Sequence, residues 1–274
     1  MIHKGYRVKL GKSLITSNYL FDYLSGPDEA RFSDLQDAFN DKSIDAVFCL
    51  KGGYGTSRLL PFINSKQFST NKKIILGYSD ITALLLYLYQ FSNFVTFHGP
   101  LLGAIFLNEN LSPNSTFSDD LLWKMLTDRK FQFSYQYDKS FLLCGGVAEG
   151  ELIGGNLSVI CSLLGTQYSP SFKRKILFLE DCSESLYKID RMITQLENAN
   201  VFSQVRGVLF TSFYKCGFKS KFDRSLLNLL STKVKKYNIP AIYGFPVGHG
   251  KQNYILPIGK KVLFNSYISM LSSS

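Results

Sequence analysis

The 274-residue chain is 45% hydrophobic and 19% charged, a globular composition that sets aside disordered and fibrous classes. No apolar run approaches the ~20 residues that span a bilayer, and the longest, Ile81 to Tyr89, has the length of a buried helix. The net charge of +10 admits nucleic acid, a membrane surface or an acidic small substrate as partner, but the basic residues are scattered. Only Lys233, Lys235 and Lys236 cluster, and they read as one solvated helix face, so neither nucleic acid nor membrane is expected.

In chain order, the amino terminus has positive charge but neither an apolar core of signal-peptide length nor a small-residue cleavage site, so a soluble cytoplasmic protein is expected. Tyr6 to Leu10 reads as a strand. Pro27-Asp28-Glu29 opens a helix in which Phe32, Leu35, Ala38 and Phe39 recur at helical spacing. Asp45 to Leu50 is a buried strand running into Lys51-Gly52-Gly53-Tyr54-Gly55, and Lys73 to Tyr78 is another running into Ser79-Asp80. Alternating strands and helices predict an α/β fold with a parallel sheet, in which ligands collect beyond the carboxyl ends of strands. Residues 107–118 read as a surface loop before a short helix around Leu121 to Leu126. The aromatic and polar stretch ending in Gly145-Gly146 reads as a linker. The predicted division is a domain over 1–130, a linker over 131–150 and a smaller domain over 151–274.

Ser79 lies between an apolar strand and an apolar helix, where a sharp turn lifts a hydroxyl clear of a sheet and sets it at a helix amino terminus that can stabilise an oxyanion. The segment lacks the second glycine of G-x-S-x-G, and a helix cap is the competing reading. The glycine-rich segment after Lys51 has neither P-loop nor dinucleotide spacing, and a tight turn is its competing reading. An imidazole base must come from His3, His98 or His249. His249, between Gly248 and Gly250, leaves room for a partner, whereas His98 at a strand end suits substrate positioning or a structural bond. Glu180 stands at the end of the apolar run Lys175 to Leu179, and Asp181, Glu184 and Asp190 compete with it as the acid that orients the base. The odd set Cys49, Cys144, Cys161, Cys182 and Cys216 lacks zinc or redox spacing and reads as reduced thiols.

Taken together, LKGGYGTSRLLP, ILGYSDITAL, FHGPLL, GELIGGNLSVICSLLGT, ILFLEDCSESLYKIDRMITQL and FPVGHGKQNYILPIG resemble the LD-carboxypeptidase family of serine peptidases, relatives of the microcin-immunity peptidases. The resemblance implies a doubly wound amino-terminal domain supplying the nucleophile and a carboxyl-terminal α/β domain supplying acid and base. By motif, the catalytic residues are Ser79, Glu180 and His249. The backbone of Asp80 and of Gly52 or Gly53 forms the oxyanion hole, and Tyr54, His98 and Asn156 bind substrate. It further implies removal of the terminal D-alanine from a murein tetrapeptide in cell-wall recycling, a homodimer, no metal and no cofactor. Two alternatives remain: the same chemistry on a peptidyl-nucleotide conjugate, and a non-catalytic or decayed ligand-binding relative. Two departures stand out. Lys51 occupies a position usually held by Arg, which replaces a bidentate donor by a point charge. The family's first strand and helix also have no counterpart ahead of Tyr6, so weak activity or stability is expected.

Overall fold

The computed structural model describes residues 5–14, 21–102, 119–128, 130–216, 223–250 and 252–274. Helix α1 (Asp28–Asn40) starts after Pro27, which suits a helix entry because it lacks an N–H. Asp28 and Glu29 place negative charge in its first turn, and Leu35 and Phe39 face the core. Strand β1 (Ala46–Phe48) enters the glycine-rich loop, and α2 (Ser65–Thr70) is capped by Asn64, whose side chain accepts the N–H groups of Lys66 and Gln67. Strand β2 (Ile74–Gly77) leads through a 3-10 turn at Ser79–Ile81 into α3 (Thr82–Ser92). Residues from Thr82 to Leu88 are all buried, which accounts for a sequence that is apolar on every side rather than striped. Strand β3 (Thr96–His98) and helix α4 (Asp119–Thr127) follow.

The second half contributes β4 (Ser134–Gln136), β5 (Phe141–Cys144), β6 (Val147–Asn156), α5 (Leu157–Leu163), β7 (Ile176–Cys182), α6 (Leu186–Asn198), α7 (Val201–Gln204), β8 (Gly207–Tyr214), α8 (Arg224–Lys236), β9 (Ala241–Tyr243), β10 (Leu256–Ile258), β11 (Lys261–Asn265) and β12 (Met270–Ser273). They build an eight-stranded sheet ordered β4-β12-β11-β6-β7-β8-β9-β5. Its β6 to β9 centre is parallel and its flanks are antiparallel. Ile176 to Asp181 are all buried, as expected of a parallel strand covered on both faces. Strand β10 departs from this sheet. It pairs antiparallel with β3, Leu256 opposite His98, and completes a four-stranded sheet ordered β1-β2-β3-β10.

The two halves meet where the parallel strands end. The N–H of Asn156, at the end of β6, donates to Thr82 Oγ1 at the start of α3 (3.0 Å). Tyr89 of α3 donates to Glu151 of β6, and Lys175 lies over the Tyr89 ring.

Two expectations are corrected. Tyr6 to Leu10 forms no strand: Tyr6 stacks on Trp123 with ring centroids 4.9 Å apart, and Lys9 pairs with Asp41 beyond α1, so side chains rather than a ladder hold the segment. A strand requires a neighbour, and β1 pairs only with β2 among the described residues. Residues 131–150 do not run free as a linker; they hold β4, β5 and the start of β6, all built into the large sheet. The loop expected over 107–118 lies outside the described residues. Among the described residues no helix is long and apolar enough to cross a membrane.

Candidate active site

Ser79 is held in a left-handed conformation (φ 62°), uncommon for a residue with a Cβ, between the extended Tyr78 and the 3-10 turn that opens α3. The surroundings enforce it. Asp80 is buried and its Oδ2 accepts the N–H of Thr56 (2.8 Å), so the carboxylate ties the turn to the end of the glycine-rich loop. A Cβ on Gly52 would stand 3.0 Å from Ser79 Cβ and 3.1 Å from its Oγ, so only glycine lets the loop backbone lie against the serine. The half-buried Ser79 hydroxyl makes no hydrogen bond among the described residues.

Across from this turn, Glu180 is fully buried at the end of β7, and its Oε2 lies 2.6 Å from His249 Nδ1. The same oxygen accepts the His249 N–H (3.3 Å), while Oε1 accepts from Asn156 Nδ2 (3.2 Å). Gly248 (φ 101°) permits this closeness, since a Cβ there would sit 2.6 Å from Glu180 Oε2. Ser212 of β8 donates to the His249 carbonyl, and Asn253 accepts the Gly248 N–H (2.9 Å), so the loop is pinned on both sides of the imidazole. Burial opposes charge on the ring. The Cys182 and Glu180 side chains against it outweigh that effect and hold the His249 pKa above the ordinary imidazole range, at about 10.

Geometry separates the four candidate acids. Asp181 alternates to the other face of β7, where it accepts from Ser158 N (3.0 Å) and Ser158 Oγ (2.7 Å). Burial nonetheless raises its pKa against the lowering effect of those bonds. Glu184 pairs with Lys188 at 3.1 Å, and Asp190 accepts from Thr194 within α6. Of these four acids only Glu180 touches the imidazole.

Of the residues expected to meet substrate, Tyr54 is exposed beside the glycine loop. Asn156 is buried. Its amide also donates to Asp181 Oδ1 (3.3 Å), and its Oδ1 caps α5 by accepting from Val159, so it braces the acid and the helix. His98 has no exposed surface, and neither ring nitrogen has a partner among the described residues. Its ring packs on Tyr78 and Phe178, and burial, with Glu180 and His249 pulling in opposite directions, lowers its pKa to about 4.

Sequence reasoning missed two neighbours. The Tyr78 ring lies 4.7 Å from that of His249. The phenol is pushed up to about 12, by burial first and then by Glu180 and Cys182. Cys182, two residues past Glu180 on β7, therefore points to the same face and reaches His249. The period of two was the available signal. All five cysteines are free thiols, and no group of three or more His, Cys, Asp or Glu suited to a metal occurs among the described residues.

A hydroxyl on a strained strand-to-helix turn, opposite a buried carboxylate–imidazole pair, has the parts of an acyl-transfer site. Comparison with known proteins identifies the family. The profile of the LD-carboxypeptidase N-terminal domain matches residues 1–99, and that of the C-terminal domain matches 149–264. A probable murein peptide carboxypeptidase of Bacillus subtilis is 36% identical, over 96% of this chain and 81% of the relative. A putative carboxypeptidase of Synechocystis is 34% identical, over 92% of this chain and 80% of its own. Among solved structures, muramoyltetrapeptide carboxypeptidase from Oxalobacter formigenes superposes with a TM-score of 0.83 at 26% identity, covering 99% of this chain and 90% of that one. MccF in complex with glutamyl sulfamoyl guanosine gives a TM-score of 0.86 at 23% identity, covering 100% of this chain and 88% of that one, and shares the fold. With both domain profiles matched in order and relatives above 30% identity along nearly its whole length, the chain belongs to the LD-carboxypeptidase family.

Proposed function

We propose that this carboxypeptidase uses a serine mechanism to remove the terminal D-alanine from a murein tetrapeptide during cytoplasmic cell-wall recycling. The observation that carries the reading is the 2.6 Å contact between buried Glu180 and His249 Nδ1, with the His249 ring 4.7 Å from that of Tyr78, the residue before Ser79. With Nδ1 committed to the carboxylate, Nε2 is left to receive a proton. Ser79 Oγ attacks the last peptide carbonyl while His249 takes its proton, and Glu180 holds the ring and stabilises the imidazolium. Negative charge develops on the carbonyl oxygen. The backbone N–H of Asp80, fixed through the Asp80–Thr56 bond, and that of Gly52 or Gly53 stabilise it. The protonated His249 then hands its proton to the departing amine, and water releases the acyl group by the reverse sequence. A substrate ending in a carboxylate suits the net charge of +10 and the exposed Lys51 beside the glycine loop.

The murein substrate is supported by the names of the Bacillus subtilis and Oxalobacter formigenes proteins. The fold shared with MccF favours, as a second reading, a peptidyl-nucleotide conjugate. Mass spectrometry of murein tetrapeptide incubated with the protein tests the first: loss of one alanine is expected. An unchanged tetrapeptide beside a cleaved peptidyl-nucleotide decides for the second.

A further inference from the structure

We propose that Tyr54, Tyr23 and Phe21 form a ring platform that binds the sugar of a muramoyl-peptide substrate. The proposal rests on the murein reading and adds a subsite to it. Tyr54 and Tyr23 are 54% and 56% exposed and Phe21 is 36% exposed, an unusual concentration of large rings at one surface. Their centroids follow one another at 6.0 Å from Tyr54 to Tyr23 and 5.5 Å from Tyr23 to Phe21.

The platform is built onto the site. Tyr54 lies two residues past Gly52, whose backbone rests against Ser79. The segment carrying the other two rings is anchored by Leu24, which is buried and packs so closely on Gly55 that a Cβ there would stand 2.6 Å from its Cδ2. Arg31 donates to the Gly55 carbonyl (3.2 Å) and pairs with Asp28, and Asp28 also accepts from Arg58 Nε (2.8 Å). The rings, the glycine loop and the Ser79 turn therefore share one scaffold.

Reach selects the occupant. A carboxypeptidase has one residue beyond the scissile bond, too little to cover three rings. On the other side, three residues separate the bond from the sugar of a muramoyl-tetrapeptide, a reach of at most about 10–11 Å in extended chain. That reach is on the scale of the two ring-to-ring steps, 6.0 and 5.5 Å, that lead away from Tyr54 and the glycine loop. Ring spacing agrees. Successive rings touch each other, with centroids 6.0 and 5.5 Å apart, and leave no gap between them for a nucleobase. The exposed Tyr54 and Tyr23 instead offer ring surface to the C–H side of a saturated ring, with tyrosine hydroxyls at its rim.

The test is calorimetric binding of murein tetrapeptide with and without its muramoyl sugar to the Ser79→Ala protein, which does not consume the ligand. The sugar should tighten binding about tenfold. Adding Tyr23→Ala should erase that gain and leave the bare tetrapeptide's affinity unchanged, while Tyr23→Phe should keep most of it. An affinity indifferent to the sugar, a gain that survives Tyr23→Ala, or adenosine monophosphate binding lost with Tyr23 would each overturn the proposal. Failure of the wild-type protein to cleave either peptide would refute the murein reading separately, because the binding result is scored without turnover.

Discussion

The two sides of the candidate site are held in place by different physics. The Ser79 turn is fixed by backbone geometry: a left-handed residue, a glycine that allows the neighbouring loop to touch it, and one buried carboxylate gripping a backbone N–H. The Glu180–His249 side is fixed by polar contacts, with every oxygen of the acid bonded and the imidazole loop braced from β8. The first arrangement stores strain and the second is electrostatic, so substitutions on the two sides should fail in different ways.

The largest effect is expected at Ser79. Ser79→Ala should abolish turnover while the fold stays intact. Ser79→Gly should be equally inactive yet more stable by about 1 kcal/mol, because glycine adopts positive φ without the Cβ penalty. Parallel denaturant melts and peptidase assays measure both, and a Ser79→Gly protein less stable than wild type would remove strain from the account.

Next comes Glu180→Gln, which should lower kcat/KM by roughly 10²–10⁴-fold, since the acid positions and stabilises the base without taking the proton. It also tests the electrostatics. His249 must be neutral to accept a proton, and its pKa is raised to about 10, so wild-type activity should rise with pH along a limb above the ~6.5 of a free imidazole. Removing the Glu180 charge should move that limb down. For stability the sign is opposite: a raised folded-state pKa stabilises fully below the unfolded value near ~6.5, and this contribution disappears as pH rises through about 10. Identical pH–rate limbs for the two proteins would show that Glu180 does not set the base.

A smaller effect is expected for Gly248→Ala, which places a Cβ 2.6 Å from Glu180 Oε2 at a φ of 101°. Displacing the imidazole should cost about 10²-fold in rate and about 1–3 kcal/mol in stability. The smallest is Thr82→Val, which leaves the buried Asn156 N–H without its acceptor and should cost about 1–3 kcal/mol with at most about tenfold in rate, read by thermal melts and kinetics together. Thr82→Ser, which keeps the hydroxyl, should restore most of both.

What could be seen in the sequence followed the range of the forces involved. The Ser79 turn was legible because strand, turn and helix are local signals written within ILGYSDITALLL. The acid was not, because Asp181 and Glu180 differ only in which face of β7 they take, and His249 lies 69 residues away from its partner. Only the family resemblance paired them. Tyr6 to Leu10 has strand-like residues without a strand to pair with, and pairing is a tertiary fact. Strand β10 was hidden by Pro257, which is tolerated because β10 lies at the edge of its sheet and, among the described residues, pairs in that sheet only with β3.

That late strand also has a consequence in time. The first sheet receives its fourth strand only when the chain reaches Leu256–Ile258, long after Thr96–His98 has been made. At ~5–20 residues per second, a nascent chain carries an unpaired β3 edge for on the order of ten seconds. During that interval the edge is a template for any passing strand. The half bearing Ser79 therefore completes its sheet only after the half bearing Glu180 and most of the loop bearing His249 have been translated.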